Sequence, residues 1–164
     1  EVVLELGAHM IKLAGLGGNL EENKKQMLEN IQNGKAFNKL KQMVQNQGGD
    51  ISYLENTDKF EKAQFTEEIL ASQNGYIQEI NAEEIGKVAC NLGAGRIKKE
   101  DNIDYAVGIE LDKKVGTKVQ KGEILGKIHA NDTTKLEIAK KQVNDIIKIS
   151  PEYCEKIQTI IEKI

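Results

Sequence analysis

Tryptophan is absent from this chain, proline occurs once, at Pro151, and histidine and cysteine occur twice each. Only three Phe and four Tyr supply rings. With so few aromatics and no block of basic residues, nucleic-acid binding has no compositional support. The net charge is −3, with Lys and Glu interspersed. No apolar run approaches the roughly 20 residues that a membrane-spanning helix needs. Cys90 and Cys154 lie far apart, with no Cys-x-x-Cys or Cys/His spacing. They read as reduced thiols rather than as a disulfide or a metal site, and a cytoplasmic location follows as the expectation.

The scarce histidines offer little chemistry. His9 falls in mid-helix, in Gly7-Ala-His-Met10, where a packed or solvated side chain is the ordinary reading. His129 ends a strand-like run, from which it can project toward a site. One histidine without a second ligand or a paired carboxylate is a weak signal for metal binding or acid–base work. No metal and no cofactor is expected in this chain. Ser52, Ser72 and Ser150 lack a nucleophile-elbow context. Gly15-Leu-Gly-Gly18 lacks the Gly-Lys-Ser/Thr ending of a phosphate loop, and no strand precedes it.

What is present is an ordered alternation of helical and strand-like patterns. The 164 residues are 39% hydrophobic and 30% charged, enough for one domain or somewhat more with a sizeable core. Glu1-Val-Val-Leu-Glu-Leu6 begins inside an amphipathic pattern, and a helix whose first N–H groups have no cap suggests a piece of a longer protein. Residues 1–14 read as a helix, with Val3, Leu6, Met10 and Leu13 at 3–4 spacing. That strip, if uncovered, promotes self-association of a fragment. Asn19 with Glu22 forms a capping-box pattern for a helix bearing Met27, Leu28 and Ile31. A third helix carries Ala36, Phe37, Leu40, Met43 and Val44 in one stripe, read as core. Residues 65–71, 75–80, 105–111 and 123–130 read as strands. Gly116 and Gly122 fall where a positive φ or a close backbone approach is expected. Asn81 with Glu84, and Thr134 with Glu137, open helices. The second has Leu136, Ala139, Val143 and Ile147 on its inner face. Ser150-Pro151 reads as a cap followed by a first-turn proline, with Tyr153, Ile157, Ile160, Ile161 and Ile164 continuing at helical spacing.

The expected fold class is α+β, a helical lead-in followed by a β-rich module with helices leading in and out. Its parts are a helical segment over 1–64, the β-rich module over 65–150 and a helical tail over 151–164. The loop from Gly93 to Asp104 is the candidate functional element. Gly93 and Gly95 make its backbone pliable, Arg96 offers a planar fork for a carboxylate or phosphate, and Lys98, Glu100 and Asp101 keep it highly charged. The readings open for it are a lid over a site and a solvated loop with local ion pairs.

Two resemblances follow from these residues. Val115-Gly-x-x-Val119-x-x-Gly122-Glu-x-Leu125 is similar to the biotinyl and lipoyl carrier domains, but Ile128-His-Ala-Asn131 lacks their modified lysine. The ordered set Leu6-Gly-Ala-His-Met10, Gly34-Lys-Ala36, Gln47-Gly-Gly-Asp50, Gly75-Tyr76, Leu92 to Asp101, Ala106 to Ile109 and Val115 to Asn131 resembles the C-terminal part of the pyrimidine-nucleoside and thymidine phosphorylases. The resemblance implies a pentosyltransferase of pyrimidine salvage that splits uridine or thymidine with phosphate as co-substrate. It also implies a homodimeric parent, a C-terminal α/β-hammerhead over residues 65–150 attached to a larger α/β domain that includes residues 1–64, and a lid loop near the cleft mouth. The family's phosphate-binding and base-binding motifs find no counterpart here, so no catalytic or substrate-binding residue is carried over and a lone fragment is expected to be inactive. The alternative is a non-catalytic hammerhead module of binding or carrier type.

Overall fold

The computed structural model describes residues 1–160 and 162. It divides into two units, the second of which runs from Phe60 to Ile157.

The first unit is helical: α1 (Val2–Leu13), α2 (Leu20–Gln32), α3 (Lys35–Asn46), the short α4 (Ser52–Glu55) and a 3₁₀ turn (Thr57–Lys59). The capping box forms in full: the Glu22 N–H donates to Asn19 Oδ1 at 3.0 Å and the Asn19 N–H to Glu22 Oε2 at 3.1 Å. The α1–α2 seam is made by small residues and a buried amide. Ala8 is fully buried, and a Cβ on Gly7 would strike the Met27 side chain. Lys24 Nζ reaches Glu5 Oε2 at 2.8 Å, and its pKa is raised by its bonds to Glu21 and Glu5. The strip Val3, Leu6, Met10 and Leu13 is exposed, Leu13 to 87%. Phe37, Leu40 and Met43 on α3 are exposed as well, which corrects their reading as core. Helical spacing shows that residues share a face; what covers the face is a separate matter.

The second unit holds two three-stranded antiparallel sheets. The first sheet has the order β1 (Phe65–Leu70), β5 (Ile124–Ala130), β3 (Gly108–Leu111). The second has the order β4 (Lys118–Val119), β2 (Gly75–Ile80), β6 (Ile147–Ser150). Helices α5 (Ala82–Ala89) and α6 (Thr133–Ile146) complete a mixed α+β architecture. Ile77, Ile128 and Val143 are fully buried at the centre of one apolar cluster. Strict alternation puts Ile77 and Ile80 on opposite faces of β2, yet both pack on this cluster. A register shift at Gln78 against β6 resolves this, because one extra residue reverses the phase of the strand. Gly116 and Gly122 adopt φ of 81° and 82°, as their turns require.

Two sequence expectations are corrected at the C-terminal end. The cap of α6 is Asp132, whose Oδ1 accepts the Lys135 N–H at 2.8 Å, in place of Thr134. Ile147 is buried, but as the first residue of β6. The expected helix after Ser150-Pro151 does not form over 151–160. Instead the chain there answers to β2: Gln78 Nε2 donates to Glu152 O at 2.8 Å, and the Tyr153 ring stands edge-on to Tyr76 at 5.3 Å. Tertiary partners outcompete a weak local preference. Ile161 and Ile164 lie outside the described residues.

Candidate functional site

The loop is pegged at both ends by core residues. Leu92 precedes it and Val107 follows it, and both are buried in the apolar cluster. Helix α5 ends in a π-helical turn, Cys90–Ala94, within which Gly93 adopts φ of 120°. That value lies outside the reach of ordinary side chains and redirects the backbone away from the helix axis. A Cβ on Gly95 would press on Cys90 Sγ, so this position too is kept small by packing. The Asp104 N–H donates to Gly93 O at 2.9 Å and closes the base of the loop.

The tip is braced by Asp101. Its Oδ2 accepts the N–H groups of Ile97 at 3.0 Å and Lys98 at 2.8 Å. Its carbonyl oxygen accepts Arg96 Nε–H at 3.2 Å, and its own N–H donates to Lys98 O at 3.1 Å. The structure thus brings Arg96, Lys98 and Asp101 together through main-chain groups. Among the described residues, no acidic side chain pairs with the Arg96 guanidinium. Lys98 and Glu100 are exposed, as are Ile97 and Tyr105, the latter to 90%. The loop is therefore ordered by its own hydrogen bonds while it presents a surface of mixed charge with exposed apolar side chains.

The residues at its base were not legible in the sequence. Asp104 Oδ1 accepts the Ala106 N–H at 3.0 Å, and Oδ2 accepts Asn131 Nδ2–H at 2.8 Å. Asn131 and Asp104 are 27 residues apart, and no local pattern pairs them.

The remaining candidates are placed elsewhere. His129 lies on β5, with Nδ1 3.3 Å from Thr66 Oγ1 and Nε2 3.6 Å from Glu110 Oε2. His9 sits 3.4 Å from Glu5 Oε1, one turn away on α1. Cys90 and Cys154 are free thiols. Among the described residues, no group of three or more His, Cys, Asp or Glu is arranged to hold a metal. No helix among the described residues is long and apolar enough to cross a membrane. Ile128–Asn131 closes β5 and leads into α6, so no hairpin presents the stretch that a carrier domain would modify. Near β5, Lys113 Nζ bonds Glu123 Oε1 at 2.9 Å; this bond, and then the Gln120 N–H, hold the Glu123 carboxyl below its usual range. An apolar groove of about 480 Å³ runs in the helical unit between Val3, Met27, Ile31 and Ala36.

Comparison with known proteins agrees with the architecture. Residues 76–150 match the family described as pyrimidine nucleoside phosphorylase C-terminal domain. The pyrimidine-nucleoside phosphorylase of Staphylococcus aureus strain USA300 is 40% identical over 163 residues, covering 97% of this chain and 38% of the relative. That of strain MSSA476 is 40% identical over 148 residues, covering 90% of this chain and 32% of the relative. The chain thus spans well under half the length of the curated relatives it matches. The match covers both units, including the Gly93–Asp104 loop. Residues 76–150 therefore form a pyrimidine nucleoside phosphorylase C-terminal domain, and across 97% of its length the chain corresponds to the C-terminal part of pyrimidine-nucleoside phosphorylases.

Proposed function

We propose that this chain works as the C-terminal part of an enzyme that splits uridine or thymidine with phosphate, releasing the free base and pentose 1-phosphate. The observation that carries this reading is 40% identity to pyrimidine-nucleoside phosphorylases across 97% of the chain. Phosphorolysis needs an oriented phosphate and stabilisation of the charge that develops on the departing base. In this reading those groups come from the rest of the polypeptide, and this chain supplies scaffold and lid. Residues 1–64 form part of a larger α/β domain, which covers the exposed faces of α1 and α3. The whole enzyme is a cytoplasmic homodimer of pyrimidine salvage, a pentosyltransferase with phosphate as co-substrate. The Gly93–Asp104 loop closes over the cleft, and the unpaired guanidinium of Arg96 gains an anionic partner only in the closed state. Such a contact shifts the equilibrium only by its differential energy, about 1–2 kcal/mol for a partly buried pair.

A chimera tests both levels. This chain replaces the matching C-terminal part of the Staphylococcus aureus relative, and uracil release from uridine is followed with and without phosphate. Phosphate-dependent turnover by the chimera, with none by the chain alone, is the expected result. A folded chimera without turnover would overturn the reading. In an active chimera, Arg96→Ala is expected to lower kcat/KM about five- to thirtyfold, the equivalent of that closure energy. Unchanged kinetics would remove Arg96 from the closing step.

A further inference from the structure

The base of the loop is tied to a distant part of the chain through one side chain. Asn131 uses both ends of its amide. Its Nδ2 donates to Asp104 Oδ2 at 2.8 Å, and its Oδ1 accepts the Gln64 N–H at 2.7 Å. Asp104 in turn donates its N–H to Gly93 O. Gln64 is the last residue before β1, whose first residue, Phe65, pairs with Ala130 immediately before Asn131. The segment 60–64, which carries the chain out of the helical unit, therefore ends on the side chain that holds the loop closed at its root.

We propose that Asn131 is a positioning residue that couples the 60–64 segment to the opening of the Gly93–Asp104 loop. A pull that draws Gln64 away from Asn131 frees the amide to rotate, Asp104 loses its partner, and the Gly93–Asp104 closure opens more often. The coupling runs through three hydrogen bonds in one contiguous chain, each end of which has a made and an unmade state. It concerns loop opening alone and holds whether or not the loop serves phosphorolysis.

Coupling between two sites is reciprocal, so each end can be perturbed and the other read. Gln64→Pro removes the N–H that Asn131 Oδ1 accepts, and it also fixes φ at position 64 and restricts Ala63. Its effect is read at the loop as the rate of native-state trypsin cleavage after Arg96, Lys98 or Lys99, relative to cleavage after Lys127 on β5. The expected result is an increase of about two- to tenfold, the range set by losing one exposed hydrogen bond. In the opposite direction, Asp104→Asn keeps the acceptor for Ala106 but sets an amide N–H₂ against that of Asn131. It is expected to speed hydrogen exchange at the Gln64 amide by a comparable factor. The double variant Gln64→Pro/Asn131→Ala should cleave no faster in the loop than Asn131→Ala alone. If either perturbation leaves the far end at its wild-type rate, the coupling is overturned. Where Gln64→Pro does not fold, the Gln64 exchange rate in Asp104→Asn decides by itself.

Discussion

Gly126→Ala is expected to lower the stability of the strand-bearing unit by about 3–5 kcal/mol, near the upper end of what a single substitution does. Gly126 lies on β5, the middle strand of its sheet, opposite Ile69 on β1 and Leu111 on β3. Its φ lies outside the left-handed region, so backbone preference is not the reason for glycine here. Space is. A Cβ at this position would run into the carbonyl oxygen of Glu110 and lie 3.0 Å from Glu110 C and Leu111 Cα. Those are backbone atoms of β3, which no rotamer change can move aside. Relief requires prising β3 from β5 at the C-terminal end of β3. Gly86→Ala provides the contrast. Gly86 is exposed on α5 and a Cβ there meets nothing. That substitution is expected to stabilise by about 0.5–1 kcal/mol, because alanine suits a helix interior better. Urea unfolding of the two variants is the measurement. A Gly126→Ala protein as stable as the parent would show that β3 yields without cost.

The second large effect is expected in the helical unit. Asn23→Leu should cost about 2–4 kcal/mol. Asn23 is the one polar side chain among the described residues that is almost wholly buried, at 1% exposure. Its Oδ1 accepts the Gly18 N–H at 3.1 Å, and its Nδ2 donates to Ala8 O at 3.3 Å and to Gly18 O at 3.4 Å. One amide thus satisfies the turn between α1 and α2 and pins it to the buried side of α1. Leucine leaves those groups without a partner and overfills the space beside Gly17, whose own Cβ would already meet the amide. Asn23→Asp keeps the acceptor for Gly18 but loses the donor and buries a charge, so it is expected to be no milder. Thermal unfolding followed by far-UV circular dichroism reads both. A midpoint unchanged in either variant would mean that the turn holds without the amide.

The helices and most strands were legible because their signals are local. Asn19 and Glu22 are three residues apart, and a capping box needs nothing else. The strand over 75–80 was legible by alternation, and the one expected over 123–130, observed as Ile124–Ala130, by the glycine turn before it. The candidate loop was legible as a loop for the same reason, from Gly93 and its charged run. Its internal order was not. Asp101 reads as one more charge among Lys98, Lys99 and Glu100, yet its carboxylate organises the tip. The tail after Pro151 was misread because isoleucines at helical spacing satisfy a helix pattern with or without a helix. The decisive fact was the pairing of Ile147–Ser150 with β2, which is non-local.

The residues by themselves determined the order of the helices up to α6 and of four of the six strands, the caps at Asn19 and Asn81, the glycine turns at Gly116 and Gly122, and the likeness to the phosphorylases. Each of these depends on neighbours within a few positions or on an ordered string of short motifs. Tertiary structure alone decided which apolar faces are covered, how the bulge at Gln78 turns both Ile77 and Ile80 to the core, and where the chain after Ser150 goes. It alone also joined Gln64, Asn131 and Asp104. The physical reason is the same in every case. A side chain's hydrogen-bond partner or packing neighbour far along the chain is set by how the sheets pair, and strand pairing is a contest among all available edges that no single window of sequence contains.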